Sequence, residues 1–452
     1  MPTAGSLHLR RRYGRVCIRN RDRILTVRQP YGTLKKKSKF MIEPPDFPRR
    51  SGRPALALTI MLALFWPCAA FAQTPAAHDT AASNMPAAIL GTVVKGVVMD
   101  ANTRETLPMA TIQVEGTFKG TVANADGRFE LDLEALPAVL MIRYLGYRSV
   151  RLPVGSPLPD PLEILMEPSV MDLPELVVTG EDPAVSIMER VIARKQLWRP
   201  GLFNYKARAY SRLQIGSDSA IVMIAESVNE VYWDRKLGTR EVLMGYDNTS
   251  NIDEGIIPLG VGALPNFYDD DIEVLSYDVV GVTHPDALDY YTFKLLEYDQ
   301  VDDRLIYRIG VEPRRRLQPT FEGEVFVLDG DFALLEVRLR PGESIFFPPP
   351  AQKVSFTYIQ QFSNYGGDVW LPVDSRVEGT VKIGLPGLQF PELQVRQIAR
   401  VSDYEINTVI PREVLEQEGS VVVDSVSVLR SRIAGFGSER VPLTEREAEA
   451  YD

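Results

Sequence analysis

The stretch FEGEVFVLDGDFALLEV, residues 321–337, has the clearest β pattern of this chain. It contains two apolar runs, 325–328 and 332–335, separated by Asp329-Gly330-Asp331. Asp-Gly between two such runs is typical of a β-hairpin, because glycine readily adopts the left-handed backbone that a tight turn needs. The stretch therefore predicts two antiparallel strands joined by a short turn.

The residues on either side continue this pattern from about Tyr205 onward. Further apolar runs, separated by turn residues such as Gly366-Gly367, lie at 307–311, 354–358, 369–371 and 377–383. Runs of this kind in series predict a meander of antiparallel strands. We expect four aromatic residues of the meander to fill a core rather than to line a ligand cavity: Phe326, Phe332, Phe356 and Trp370.

Residues 92–167 have shorter apolar runs and more frequent turns, which predicts an all-β sandwich. Within it, Asn124, Asp126 and Glu130 have spacings similar to those of a calcium loop. Such a loop supplies oxygen ligands at alternate positions over a dozen residues. Because Ala123, Ala125 and Arg128 interrupt any such set, we interpret residues 124–127 as a tight turn.

Two short helices are predicted from their first residues. Asp182 followed by Pro183 is typical of a helix start. We expect an apolar stripe of that helix to enter the core and three basic residues to lie outside; the stripe is Val185, Met188, Val191, Ile192 and Leu197 or Trp198, and the basic residues are Arg190, Arg194 and Lys195. Thr444 and Glu447 have the spacing of a capping box near the end of the chain.

Length and charge limit the function classes. The chain has 452 residues, a formal net charge of −10 and a sequence pI of about 5.2. The length predicts two or three domains, each large enough to bury a core. The acidic balance argues against non-specific binding of nucleic acid.

The first 72 residues predict export. A basic extension ending in Arg49, Arg50 and Arg53 precedes an apolar segment, 54–69, and a small-x-small exit at Ala70-Phe71-Ala72. This order is that of a secretory signal peptide, with cleavage expected before Gln73. An uncleaved anchor is the second interpretation, since the apolar run is short for a membrane span.

The start codon and the cysteines depend on the same segment. Met41 would be a more natural start than Met1 for a signal peptide of this kind. Both cysteines, Cys17 and Cys68, precede the expected cleavage. The exported chain is therefore predicted to hold no disulfide and no cysteine nucleophile.

Three histidines, His8, His78 and His284, restrict the catalytic possibilities. A carboxypeptidase zinc site needs two histidines and a carboxylate, and no two of these histidines have ligand spacing. No Gly-x-Ser-x-Gly elbow is present, and His284 before Pro285 is interpreted as a turn residue. We therefore predict no catalytic, cofactor-binding or metal-binding residue; a hydrolase with paired carboxylates is the least favoured alternative.

Three motifs carry a family resemblance. GVVMDANTRETLPMATIQVEGT (96–117), GTVANADGRF (120–129) and YLGYR (144–148) resemble the carboxypeptidase regulatory-like domain. The resemblance covers about residues 91–167 and implies a transthyretin-like β-sandwich. It also implies a non-catalytic role, since such domains occur at the N-termini of secreted and outer-membrane proteins of Gram-negative bacteria.

The second half has weaker resemblances. Residues 321–337 and YGGDVWLP (365–372) are similar to lipoprotein-carrier half-barrels of the Lol type, which implies an apolar cavity for acyl chains. The hinge at 171–184 resembles the segment that leads into the plug of TonB-dependent receptors. From about Gly91 onward, the chain resembles an uncharacterised envelope family whose longer members end in an outer-membrane β-barrel.

The fold class that follows is mainly β: a transthyretin-like sandwich, a short helix, and a larger antiparallel meander that could form a half-barrel. The expected divisions are an extension with signal peptide (1–72), a linker (73–90), the sandwich (91–168), a hinge (169–182), a helix with an antiparallel β domain (183–409) and a tail with a short helix (410–452).

The expected function is that of a non-enzymatic, secreted envelope protein, a binding or assembly module at the periplasm or outer membrane. Its partner would be an envelope protein, a glycan or a lipid, with no nucleic acid and no cofactor. One alternative is a lipid or lipoprotein carrier with a cavity in the second domain. Another is the periplasmic part of a truncated barrel protein or TonB-dependent receptor.

Overall fold

The computed structural model describes residues 92–117, 119–169, 180, 182–217, 220–249, 260–274, 277–301, 304–347, 349–364, 369–385, 388–389, 391–416, 421–422 and 441–451. The predicted signal peptide and most of the predicted hinge lie outside these residues. No helix in the described part is long and apolar enough to cross a membrane.

Seven strands form two small sheets that pack face to face, which is the predicted sandwich. The strands are β1 (Thr92–Asp100), β2 (Thr111–Val114), β3 (Gly120–Val122), β4 (Arg128–Leu133), β5 (Ala138–Arg143), β6 (Val150–Val154) and β7 (Leu162–Met166). The sheet orders are β4-β1-β7 and β3-β2-β5-β6. Alternate side chains of both sheets face each other and are buried, among them Val98, Ile112, Phe129, Leu140 and Ile164.

The turn predicted between β3 and β4 is confirmed. The side-chain oxygen of Asn124 accepts hydrogen bonds from the N–H groups of Asp126 and Arg128, both at 2.9 Å. Its amide donates to the carbonyl of Pro442 at 3.2 Å. The Asn124 side chain therefore holds the turn and contacts the C-terminal part of the chain.

Helix α1 (Pro183–Trp198) begins where the sequence predicts. The Asp182 side chain accepts a hydrogen bond from the Ala184 N–H at 2.9 Å, as a helix N-cap does. Of the two alternatives at its end, Trp198 enters the core and Leu197 is 73% exposed. One expectation for its faces was wrong: Lys195 is buried, because its ammonium group finds partners in a distant loop.

The larger sheet contains the predicted meander. Its strands are β8 (Asn204–Gly216), β9 (Ile221–Asp234), β10 (Gly238–Asn248), β13 (Tyr291–Val301), β14 (Arg304–Pro313), β15 (Phe321–Leu328), β16 (Ala333–Pro341), β17 (Ala351–Asn364), β18 (Trp370–Leu385), β19 (Leu388–Gln389), β20 (Leu393–Ile406) and β21 (Val421–Val422). The order is β13-β14-β15-β16-β17-β18-β20-β8-β9-β10-β21, with β19 paired to β18. The sheet is not closed. We call the face on which α1 packs its concave face and the other its convex face.

Residues 321–337, predicted as a hairpin, lie in β15 and β16, which pair in antiparallel register. Gly330, in the turn between them, has φ of 80°, the left-handed conformation expected of it. Smaller elements are β11 (Asp271–Val274), β12 (Tyr277–Val280), α2 (Ala287–Tyr290), α3 (Arg412–Leu415) and α4 (Glu445–Glu449). Helix α4 begins with the predicted capping box of Thr444 and Glu447.

Part of each face of the larger sheet is covered. On the concave face, α1 and residues 260–274 and 277–283 pack over an apolar core that includes Phe321, Val325 and Trp370. The convex face is covered by residues 441–451 and by β3 of the sandwich, where Arg400 Nη1 donates to Thr121 Oγ1 at 2.9 Å. The middle parts of strands β8, β9, β18 and β20 are therefore buried on both sides.

Candidate functional site

A cavity of about 420 Å³ lies on the concave face of the larger sheet. Strands β8, β9, β17, β18 and β20 form its floor, and residues from 261–274 form its cover. A volume of this size is in the range of small-molecule sites, which are typically 300–1,000 Å³. The cavity is therefore the candidate ligand site.

The outer part of the cavity floor is apolar because alternate strand positions point inward. Leu213 and Ile215 of β8, Val377 of β18, and Val395 of β20 lie in one apolar cluster with Phe356 of β17. The intervening residues face the convex side, as the period of two in a strand requires. Phe347 packs against Phe356, with the two ring centroids 5.9 Å apart, and also lines the cavity.

The expectation for the four aromatic residues is confirmed for two of them and is modified for the other two. Phe326 and Trp370 are buried in the core around α1, as predicted. Phe332 is only partly buried and packs against that core, with the Arg190 guanidinium 5.0 Å from its ring centroid. Phe356 lines the cavity, because β17 crosses the part of the sheet that α1 does not fill.

A band of buried polar side chains bounds the apolar floor. Gln360 Nε2 donates to Ser375 Oγ at 2.8 Å, and Gln397 Nε2 donates to Ser211 Oγ at 3.3 Å. These residues come from four strands, and Gln360, Ser375 and Gln397 line the cavity directly. The cavity thus has an apolar portion and a region that can offer hydrogen bonds.

The cover is held to the sheet by hydrogen bonds as well as by packing. Gln360 Nε2 also donates to the Pro265 carbonyl at 2.8 Å, and its oxygen accepts from the Phe267 N–H at 3.0 Å. The Tyr268 hydroxyl accepts from the Leu334 N–H at 2.8 Å. One side chain of the polar band therefore fixes the segment that closes the cavity.

A second attachment links the cover to α1. Lys195 Nζ donates to Asp270 Oδ1 at 2.5 Å, to the Thr283 carbonyl at 3.0 Å and to Thr283 Oγ1 at 3.1 Å. Burial lowers the pKa of the Lys195 amine, and the neighbouring Asp270 carboxylate opposes that shift. Three partners together keep the amine in place at the end of the helix.

Glu241 of β10 fixes the start of the cover. Its carboxylate accepts from the Gly262 N–H at 2.5 Å, from the Val261 N–H at 3.3 Å and from Asn229 Nδ2 at 2.6 Å. A side chain at Gly260 would collide with the carboxylate, since a Cβ there would lie 2.0 Å from Glu241 Oε2. Burial raises the pKa of the Glu241 carboxyl above its usual value.

The other charged and titratable side chains of this region make structural contacts. Asp269, on the rim, forms an ion pair with Arg199, whose guanidinium lies 4.9 Å from the centroid of the Trp233 ring. His284 lies in a turn, where its Nδ1 accepts from the Asp286 N–H at 2.9 Å. In the described part of the chain, no cluster of His, Cys, Asp and Glu has a geometry that could hold a metal ion.

A larger crevice, of about 640 Å³, lies between the sandwich and strands β14–β18. Charged side chains form part of its walls, among them Arg143, Arg304 and Glu336. Arg304 forms an ion pair with Asp331 at 2.9 Å. Charged groups of this wall are therefore already paired within the protein. The cavity on the concave face is the better candidate, because the space within it is bounded by an apolar floor that an apolar ligand would contact.

No residue of a ligand site was predicted from the sequence. Four polar residues of the cavity and its cover were therefore missed: Gln360, Ser375, Gln397 and Glu241. Their only signal in the sequence is a polar residue on the same strand face as apolar neighbours, such as Gln397 between Val395 and Ala399. That signal is weak, because it depends on knowing which face is buried.

Two parts of the chain match known families. Residues 94–178 match the CarboxypepD_reg-like domain, which agrees with the resemblance found in the sequence motifs. Residues 213–391 match a family of unknown function, DUF5686. A comparison with the curated proteins found no match.

Several solved structures are similar to part of the chain. A domain named for outer-membrane lipoprotein sorting, from Vibrio parahaemolyticus, is 9% identical, with 52% of this chain and 96% of that domain covered and a TM-score of 0.25. A DUF1329 family protein from Desulfovibrio piger is 10% identical, with 55% and 100% covered and a TM-score of 0.25. A LolA superfamily protein from Nitrosomonas europaea is 11% identical, with 52% and 97% covered and a TM-score of 0.21.

TM-scores this low support no conclusion about the ligand or partner of this chain. The family matches identify its parts more directly. The chain therefore contains a CarboxypepD_reg-like domain at residues 94–178, followed at residues 213–391 by a region of the family of unknown function DUF5686.

Proposed function

We propose that this chain is a non-enzymatic binding protein of the cell envelope and that the cavity of the larger sheet takes up an apolar chain, such as the acyl chain of a lipid or lipoprotein. The cavity itself carries the proposal. Its floor of Leu213, Ile215, Phe356, Val377 and Val395 would exchange water for hydrocarbon on binding. Burial of apolar surface is favourable by roughly 25 cal/mol per Å².

The polar band supports an amphipathic ligand over a plain hydrocarbon. Gln360, Ser375 and Gln397 line the cavity at the border of its apolar portion. Sites of this kind use a few placed polar groups to fix the orientation of a mostly apolar ligand. An ester or amide at the head of an acyl chain would find donors and acceptors there.

The test is to purify the full chain, extract it with organic solvent and identify lipids by mass spectrometry, and to titrate delipidated protein with a fluorescent fatty acid. Val395→Trp fills the cavity and should abolish both bound lipid and fatty-acid binding. Arg396→Trp is the matched control, because Arg396 is the next residue of β20, faces the other side and is about half exposed. Full-length protein that contains no lipid and does not bind the fatty acid would overturn the proposal.

The envelope location is part of the same proposal and is supported by the sequence order of the first 72 residues. Fractionation of the source cells followed by N-terminal sequencing should recover a chain that begins at Gln73. A chain that retains the residues before Gln73 in the cytoplasmic fraction would contradict export. We also propose that the protein acts at the outer membrane. Its relation to longer relatives that carry a β-barrel is part of the same proposal.

A further inference from the structure

Two loops at one end of the larger sheet expose apolar and basic side chains together. Leu317, between β14 and β15, is 94% exposed, and Phe346, between β16 and β17, is 71% exposed. Leu317 directly follows Arg314, Arg315 and Arg316. We call residues 314–318 and 343–347 the basic tip.

The two loops of the basic tip are bound to each other. Ser344 Oγ donates to the Gln318 carbonyl at 2.6 Å, and at the base of the loops the Gly342 N–H donates to the Thr320 carbonyl at 2.7 Å. Arg314 Nε donates to the Tyr291 carbonyl at 3.0 Å, which fixes the first arginine to β13. Leu317 and Phe346 are therefore held outward on a supported surface.

The charge of the tip is positive although the chain as a whole is acidic. Its residues contain three arginines and one acid, Glu343, which gives a formal charge of 3 − 1 = +2. Among the residues that the structure describes, Arg315 and Arg316 have exposed side chains that enter no hydrogen bond or ion pair. Two free guanidinium groups beside two exposed apolar side chains match the interface of a membrane, where phosphates lie above hydrocarbon.

The tip also adjoins the cavity. Phe347 follows the exposed Phe346 and lines the cavity against Phe356. The strand registers place the tip, Gly216 and Leu393 at the same end of the sheet, which is where the apolar floor lies. A membrane that contacts Phe346 would therefore lie next to Phe347, the following residue of the chain, which forms part of the cavity wall.

We propose that the basic tip docks on an anionic lipid bilayer, with Leu317 and Phe346 inserted between headgroups and Arg315 and Arg316 on phosphates. Docking in this orientation brings the end of the cavity that Phe347 lines to the membrane surface. The docking itself stands on the tip alone, whereas its use for transfer of an acyl chain rests on the proposed function.

The opposite end of the sheet offers a natural comparison. Phe203 and Leu237 are exposed there too, at 59% and 46%. However, the guanidinium of Arg235 beside them already donates to the carbonyls of Arg199 at 2.7 Å and Pro200 at 2.8 Å. This end lacks a pair of unengaged arginines and serves as an internal control.

The test is hydrogen exchange of the full chain, read peptide by peptide, with and without vesicles. Vesicles of equal parts phosphatidylglycerol and phosphatidylcholine should slow exchange at 314–318 and 343–347 and leave 234–238 unchanged. Vesicles of phosphatidylcholine alone should protect neither segment. A local readout is needed because the basic and apolar head of the chain could bind vesicles by itself.

Two variants sharpen the result. Leu317→Ser with Phe346→Ser should abolish the protection, and neither side chain is part of the core. Arg315→Gln with Arg316→Gln should weaken vesicle affinity of the tip by roughly 30-fold, at about 1 kcal/mol per arginine, whereas Lys236→Gln should not change it.

The proposal is overturned if anionic vesicles protect neither loop, protect 234–238 equally, or protect the tip no more than neutral vesicles do. Its failure is distinguishable from failure of the proposed function. Lipid extraction and fatty-acid titration need no vesicle, so a loaded cavity with an unprotected tip rejects docking alone. A protected tip on a protein that takes up no lipid rejects the cavity alone.

Discussion

Arg212 and Glu226 stand directly opposite each other on β8 and β9 and form an ion pair that is almost completely buried. Arg212 Nη2 lies 3.1 Å from Glu226 Oε1, with the two side chains 2% and 0% exposed. Arg212 Nη1 also donates to Glu447 Oε2 at 3.2 Å, and the Tyr451 hydroxyl donates to Glu226 Oε2 at 2.6 Å. The last described residues of the chain thus seal this pair from water.

Arg212→Met is expected to destabilise the protein by about 3–5 kcal/mol, because it leaves the Glu226 charge buried without its partner. The measurement is the free energy of unfolding in urea. Arg151→Met is the control, since Arg151 and Glu115 form an exposed pair at 2.7 Å, and such pairs contribute about 0–1 kcal/mol. Equal losses in the two variants would contradict the role given to burial.

Glu241→Gln should change how stability depends on pH. Burial raises the folded-state pKa of Glu241 above the unfolded value of about 4.3. The carboxyl therefore contributes most stability below its unfolded pKa, and that contribution is lost as the pH rises through the folded pKa. The unfolding free energy of wild type relative to Glu241→Gln should fall as the pH rises above the unfolded pKa, and a constant difference would disprove this.

Asp100→Asn should show the opposite slope. The Asp100 carboxylate accepts from the Thr103 N–H at 2.8 Å, the Tyr147 hydroxyl at 2.8 Å and the Asn102 N–H at 2.6 Å. These hydrogen bonds lower the pKa of Asp100, and the bond from the Thr103 N–H has the largest effect. Its contribution is therefore present above the unfolded pKa of about 3.9 and is lost as the pH falls through the folded value. Wild type should lose its advantage over Asp100→Asn in acid; an advantage that persists there would refute the assignment.

Thr121→Val tests the contact between the sandwich and the convex face. The variant removes the hydroxyl that accepts from Arg400 Nη1 and should cost roughly 1.5–3 kcal/mol, as for hydrogen bonds to charged groups. Thr111→Val is the control, because the Thr111 hydroxyl donates to the Arg143 carbonyl at an exposed position. Substitutions at exposed positions usually change the free energy of unfolding by no more than about 0.5 kcal/mol. A cost no greater than that of the control would show that the contact adds nothing.

Local features of the fold could be predicted from the sequence. The β15–β16 hairpin, the Asn124 turn and the Asp182 cap each depend on residues a few positions apart. Lys195 could not be assigned, because its partner Thr283 lies 88 residues away. The burial of Lys195 follows only from the packing of α1 against residues 260–283.

The candidate site was harder to predict for a related reason. An alternating strand suggests that its polar side faces water, so Arg212, Glu226 and Arg400 would be assigned to solvent. In the structure the sandwich and residues 441–451 cover that side, so both faces of the central strands are buried. The apolar side in turn borders a cavity that α1 leaves open, and no pattern within one strand reveals how far a helix reaches.

The contact of Asn124 with the Pro442 carbonyl spans 318 positions of the chain, and it bears on the timing of folding. A ribosome releases the sandwich and strands β8 and β9 long before it synthesises the segment that covers Arg212 and Glu226. Until then those charges remain hydrated, and the convex face cannot reach its final form. Covering of the convex face therefore waits for the synthesis of residues 441–451, and contacts this distant along the chain predict slow folding.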